Sequence, residues 1–414
     1  MEKKRQFGSI LGIPFYLDSS WFLILGLVTL ANASEINGGI LQGRSPWLGW
    51  LLGFVMALLL FGSVLLHELG HSLVARSQGI TVNSITLFLF GGVASIERES
   101  KTPMGAFSVA IAGPLVSFAL GIIFLTIGNL NEKSALLNYL TDDLGRINLF
   151  LAFFNLIPGL PLDGGQVLKA LVWKVSGDRV TGVRWAARSG KFIGGLGLCL
   201  GLLVILSLGD FSGAWLALIG WFVWRNADAY DRLTDLQNSL LTILAAEAMT
   251  RNFRVIDANL TLKDFIDTYV IKNPQENCLY YAASEGRYRG LVRVETLQKI
   301  ERSEWDWLTL KDIAQPLTEI PSVSEKTPLV TVVDLLEKNS FSDHEAGLCD
   351  RILTVLSPAG AVAGVIDRGD IIKVLALKHR LPIPDTEIQR IKAEGTYPPF
   401  LPLATLIKNL NPKE

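Results

Sequence analysis

His67-Glu68-Leu69-Gly70-His71 closes a long apolar stretch that begins near Trp47. The chain holds only four histidines, and two of them stand here four residues apart. Positions i and i+4 share one helix face, so both imidazoles reach one metal ion while Glu68 leans toward the same place. Histidine and glutamate are costly to place in a helix buried in hydrocarbon, so their presence there is a functional signal.

Outward from this segment the composition divides the chain. Its 414 residues are enough for two or three domains. Half are hydrophobic, yet 39 acidic and 38 basic residues leave a net charge of −1. Residues 15–224 carry most of the Trp, Gly and long apolar runs, and residues 225–414 read as soluble and charge-mixed. A near-neutral balance makes no case for nucleic-acid binding. Cys199, Cys278 and Cys349 show no paired spacing, so neither a disulfide framework nor a thiolate zinc site is expected, only ordinary buried thiols. Lys3, Lys4 and Arg5, followed by an apolar run ending Ala31-Asn32-Ala33, imitate a cleaved signal peptide. About a dozen residues, Gly8 to Ser20, separate the charges from the run and read as extended, which favours an uncleaved first span.

A span needs about 20 mostly apolar residues. Six segments meet or approach this: about 18–34, 47–75, 106–129, 144–173, 190–209 and 212–226. The fourth is broken by Pro158 and Pro161, then Asp163-Gly164-Gly165. Irregular backbone at membrane depth is tolerated only where it is buried in protein or lines a cavity, so the break points to a site. Lysine and arginine placement sets the orientation. With both termini cytoplasmic, the inner segments hold Lys3, Lys4, Arg5, Arg76, Arg98, Lys101, the run from Lys174 to Lys191, Arg225 and Arg232; the outer ones hold Arg44, Lys133 and Arg146. His67 and His71 then lie near the cytoplasmic end of the second span. A multi-pass protein of a bacterial plasma membrane or an internal membrane is expected. Between spans two and three, Ile80 to Glu97 alternates apolar and β-favouring residues before Gly91-Gly92, and reads as a strand pair or bulged strand, with a plain surface hairpin as the rival.

Two neutral imidazoles and a carboxylate make a three-ligand zinc site with a fourth position open to water. Zinc lowers the pKa of that water toward 7, and a neighbouring glutamate accepts its proton. His67 and His71 fill two ligand roles and Glu68 that of the base. His344 and His379 lie in the soluble half and are poor third ligands. Asp163 is better placed: it is the one acidic residue in the apolar part of the fourth span, it follows the proline break, and that span descends to the side where His71 lies. A helix N-cap for Gly164 to Val175 is the rival role for Asp163. Asn155 is a candidate oxyanion donor, with a polar contact inside the bundle as its rival.

His67-Glu68-Leu69-Gly70-His71 in one span, paired with Asn155-Leu156-Ile157-Pro158-Gly159-Leu160-Pro161-Leu162-Asp163-Gly164-Gly165 in another, resembles the site-2 protease family of intramembrane metalloproteases. Phe90-Gly91-Gly92-Val93 and Ala112-Gly113-Pro114-Leu115 are also similar to that family, and the resemblance covers roughly residues 5–230. It implies that Asp163 is the third ligand to one Zn²⁺ and that the substrate is a transmembrane protein segment in the bilayer, unwound near the zinc. It also implies a sheet at Ile80–Glu97 whose edge, at Leu87, Phe88, Leu89, Phe90, Gly91 and Gly92, takes the substrate by strand addition.

From about Asp228 a polar helix leads into two stretches of similar plan, about 245–303 and 312–378. Each reads strand–helix–strand–strand–helix, a repeat whose halves stack. This resembles a tandem CBS domain pair, a cytoplasmic regulatory module that in many proteins binds adenine nucleotides such as ATP. By that resemblance Asp370, with Asp367, is a candidate ribose contact, whereas Arg293 and Thr296 in the first copy depart from the pattern. A nucleotide-free module for dimerisation or docking, hence a homo-oligomer, is the alternative. The expected architecture is therefore a membrane α-helical bundle of six spans with a small membrane-associated β element (1–230), followed by an α+β tandem CBS pair (231–414). The expected function is that of an intramembrane zinc endopeptidase, with a CBS-regulated transporter or channel as the alternative.

Overall fold

The computed structural model describes residues 5–39, 41, 45–88, 91–130, 135–272, 279–297, 300–339, 351–398, 401 and 403–408. The chain divides into two units, Met1–Thr234 and Asp235–Glu414.

The first unit opens with a hairpin, β1 (Arg5–Ile10) and β2 (Ile13–Leu17), then helices α1 (Ser19–Gly38) and α2 (Pro46–Ser77). Strands β3 (Val82–Phe88) and β4 (Gly91–Ile96) follow, then α3 (Pro103–Leu130), α4 (Ala135–Asn155), α5 (Asp163–Ser176), α6 (Arg179–Leu208) and α7 (Ser212–Thr242). Among the described residues four helices, α1, α2, α3 and α6, are long and apolar enough to cross a membrane. The buried positions of α2 include Gly49, Gly53, Met56, Phe61, Ser63, His67, Gly70 and His71. These recur at helical spacing, so one stripe faces the bundle while Leu51, Leu58 and Leu66 face outward. Cys199 is exposed on α6, against the expectation of a buried thiol. It sits on the outer side of an apolar helix, where a small hydrophobe suits a lipid contact. The expected break in the fourth span separates α4 from α5, with turns over residues 156–162.

The β element is larger than Ile80–Glu97 alone. The N-terminal hairpin joins it, giving the order β1-β2-β3-β4, with β2 and β3 parallel and the other pairs antiparallel. Strand β3 is consequently interior. Leu87 pairs with Leu17 on one side and Gly92 on the other, and Phe88 pairs with Gly91. Leu87 therefore belongs to no open edge, and Phe88 ends the same interior strand; among the described residues the edge on this side is β4, which holds Gly91 and Gly92. Leu89 and Phe90 lie outside the described residues.

The second unit contains two three-stranded sheets of one topology. In the first, β5 (Phe253–Asp257) runs parallel to β6 (Leu279–Ser284), which pairs antiparallel with β7 (Arg287–Val292). The second repeats this with β8 (Ser322–Ser324), β9 (Leu353–Leu356) and β10 (Val362–Ile366). Beyond the repeats, helices Asp385–Glu394 and Leu403–Lys408 complete the second core: Ile391, Leu401, Leu403, Leu406 and Ile407 cluster with Leu329, Val333, Leu336 and Leu375. Leu403 is fully buried, so Leu403→Ala should cost about 2–5 kcal/mol. The expected readout is earlier loss of amide-exchange protection in β8–β10 as denaturant rises, with β3 and β4 unaffected.

Candidate metal centre

His67 and His71 lie on the buried face of α2, 4 % and 8 % exposed, with their ring planes 77° apart. They stand ten and six residues before the end of the helix, hence about 15 and 9 Å along its axis. Gly70 lets α3 approach: a Cβ there would meet Val116 Cγ2 at 2.9 Å and the Ala112 carbonyl at 3.1 Å. Gly113 of α3 faces both rings, and a Cβ on it would run into His71 Nε2 and lie 2.7 Å from His67 Nε2. Val109, Gly113 and Ser117 follow at four-residue intervals on α3, matching the interval of the histidines. His71 Nδ1 donates to the Val109 carbonyl at 2.7 Å, and Ser117 Oγ lies 2.9 Å from His67 Nδ1. A carbonyl only accepts, so His71 carries its proton on Nδ1 and turns the Nε2 lone pair inward. Ser117 Oγ is placed to hold His67 the same way when His67 carries its proton on Nδ1.

Asp163 opens α5, just after the turns that follow α4. Gly164 and Gly165 let the first turn of α5 press onto the loop, since a Cβ on either would meet the backbone of Leu156 or of Gly159 and Leu160. The loop rests in turn on α6, where Leu160 N donates to the Ala186 carbonyl at 3.1 Å and Ser189 Oγ donates to the Pro158 carbonyl. Leu162 occupies the N-cap position of α5, so the capping role considered for Asp163 falls away. Its carboxylate instead reaches the histidines, with Oδ2 3.0 Å from His67 Nε2 and 3.3 Å from His71 Nε2. The two Nε2 atoms are 3.2 Å apart. His67, His71 and Asp163 are the group of described residues able to hold a metal ion.

These distances fit a metal. When both imidazoles carry their proton on Nδ1, as ligation through Nε2 requires, three acceptor atoms converge on one point. A tetrahedral ion bound at about 2.0–2.1 Å holds its ligand atoms about 3.3 Å apart. Glu68 is half-buried beside them and packs against Gly92 of β4, where a Cβ would lie 3.2 Å from Glu68 Oε1. A cavity of about 410 Å³ is lined by Glu68, His71 and Asp163 together with Ala94, Ile96, Gln166 and Lys169. It shares Ile80, Arg98 and Glu99 with a neighbouring polar cavity of about 610 Å³. At the shared wall Glu99 Oε2 accepts from Lys169 Nζ at 3.1 Å and Arg179 Nη2 at 2.7 Å. Partial burial pushes the Glu99 carboxyl up, and the two cations outweigh it, holding the group below the ordinary carboxylate range.

The model of peptidase family M50 matches residues 55–144 and 132–193. A candidate zinc metalloprotease of Synechocystis, sll0528, is 41% identical over 377 residues, covering 91% of this chain and 96% of that protein. The chain belongs to peptidase family M50. Zinc metalloprotease MJ0392 of Methanocaldococcus jannaschii is 30% identical over 375 residues, or 90% of this chain and 97% of the relative. The solved site-2 protease from the same organism is 33% identical, covers 55% of this chain and 95% of its own, and superposes with a TM-score of 0.40. The CBS domain model matches residues 310–377. The M50 membership removes the transporter and channel alternative.

Of the other expected site residues, Asn155 is half-buried at the end of α4, outside the three-atom cluster. Asp367 and Asp370 open helix Arg368–His379 of the second unit. Asp370 is 3 % exposed and ion-paired with Lys392 (Oδ1 to Nζ, 2.5 Å), and Asp367 Oδ2 is 3.1 Å from the same ammonium. Burial, then the Asp367 charge, pushes the Asp370 carboxyl up despite Lys392. Sequence reasoning missed Val109 and Ser117, whose only signal is the four-residue spacing around Gly113. It also missed the Glu99–Lys169–Arg179 set, whose members are far apart in the chain. Gly113→Ala should displace the His71 ring and strip bound metal, measured as metal content of the purified protein; a fully metallated variant would refute the packing argument.

Proposed function

We propose that this chain hydrolyses a peptide bond within a membrane-embedded segment of another protein, with one zinc ion held by His67, His71 and Asp163. The observation that carries this reading is the set of three inward-facing acceptor atoms at 3.0–3.3 Å beside Glu68, inside an apolar helix. Relatives named as zinc metalloproteases support it. When bound, zinc supplies Lewis acidity toward the scissile carbonyl and lowers the pKa of a water toward 7. Glu68 takes the proton of that water and returns it to the leaving nitrogen. The Val109 carbonyl and Ser117 keep the imidazoles in the ligating tautomer. Asn155 supplies the hydrogen bond to the developing oxyanion.

A transmembrane helix satisfies all its backbone hydrogen bonds internally, so its bonds are closed to attack until it unwinds. The β4 edge from Gly92 to Ile96 offers backbone groups to the unwound segment, beside Glu68 and along the cavity wall. Arginine and lysine placement favours six spans with both termini cytoplasmic, so that α4 and α7 join the four apolar helices. The second unit then lies in the cytoplasm as a regulatory module. An adenine nucleotide at its second repeat must displace Lys392 from Asp370 and Asp367.

Glu68→Gln keeps the volume and removes the base. It should lower cleavage of a co-expressed membrane substrate by about 10²–10⁴-fold while zinc content stays at the wild-type level. Asp163→Ala should lose both zinc and cleavage. Cleavage at the wild-type rate by Glu68→Gln would sink the proposal.

A further inference from the structure

Glu99 follows the edge strand β4 by three residues and stands where α5 and α6 come together. Through a single oxygen, Oε2, it joins three elements. The first is β4 itself, whose Gly92 packs on Glu68. The second is α5, whose Lys169 reaches Oε2 at 3.1 Å; the third is α6, whose first residue, Arg179, reaches it at 2.7 Å. Lys169 is 4 % exposed, and its ammonium is held by this carboxylate, whose side chain is half-exposed. It lies six residues beyond Asp163 in the same 14-residue helix, about 9 Å along the axis. Both line the cavity that reaches Glu68 and His71.

A short helix moves as a rigid body. The glycine contacts at its first turn fix how closely α5 meets the loop, and further along α6 packs on its backbone at Lys169 across Gly182. The Lys169–Glu99 pair ties this same turn of α5 to the segment that follows β4. Metal–ligand distances tolerate only about ±0.2 Å, so a small swing of α5 is felt at Asp163 Oδ2. We propose that Glu99, acting through Lys169, is a positioning residue for the metal centre that sets the reach of Asp163 toward His67 and His71. This rests on the zinc-site reading above. Removing Glu99 alone leaves the Lys169 ammonium without that carboxylate and loosens the tie between α5 and the segment after β4. Removing both charges leaves no ammonium there.

The test measures zinc release from full-length protein in detergent to a chromogenic chelator, alongside thermal unfolding. Glu99→Gln should release zinc about tenfold faster or more, as expected when support behind a ligand is lost. Glu99→Gln/Lys169→Met should return release to within about threefold of wild type. Glu99→Asp, which keeps the charge and shortens the reach, serves as the milder variant and should fall between wild type and Glu99→Gln. Lys191→Met, which breaks the pairs with Asp228 and Asp231 between α6 and α7, should lower the unfolding temperature without changing zinc release. Release from Glu99→Gln within twofold of wild type, or equal acceleration by Lys191→Met, would overturn the positioning role. Wild type and Glu68→Gln both failing to bind zinc would instead refute the metal-centre reading.

Discussion

Three lone-pair atoms face one another across 3.0–3.3 Å, and the architecture of the membrane unit follows from keeping them there. With both imidazoles neutral and their Nε2 lone pairs turned inward, these atoms repel one another unless a cation lies between them. The fold opposes this repulsion from behind. Each imidazole is gripped at Nδ1 by α3, and the carboxylate is delivered by a helix whose first turn is pressed against a loop and, beyond it, α6. A cation at the centre converts that enforced repulsion into attraction.

This constraint accounts for the distribution of small residues. Gly70 and Gly113 let α2 and α3 approach closely enough for a backbone carbonyl to reach an imidazole. Gly164 and Gly165 perform the same service between α5 and the loop, and Gly159 meets Gly190 of α6 across a gap that a Cβ would close to 2.7 Å. In a bilayer such close contacts are a main source of helix association, because lipid tails offer no hydrophobic gain for burying leucine. The glycines that shape the site therefore also hold the bundle together.

Much of this was legible because it is local. The His67/His71 spacing, the proline break and the apolar runs are short-range patterns, and each marks an element or a site directly. The division between an apolar half and a charged half is compositional, and the CBS-like plan shows as two stretches with the same order of strand and helix. What stayed hidden depends on distant partners. No pattern in β3 tells whether β2 or solvent lies on its far side, so Leu87 reads as an edge when β2 covers it. Asp370 looked open because Lys392, 22 residues on, could not be placed against it. Glu99, Lys169 and Arg179 look like unrelated surface charges until the fold brings them to one oxygen.

The last described helix of the second unit, Leu403–Lys408, carries a consequence for how the protein is made. Leu403, Leu406 and Ile407 belong to a core that begins at Leu240, so nearly the whole segment must be synthesised before that core can close. At roughly 5–20 residues per second, the intervening stretch of about 170 residues takes about ten to thirty seconds to emerge. The helices that bear the histidines and Asp163 are complete well before then. Every newly made molecule thus passes through an interval in which its membrane half is finished and its second half is not.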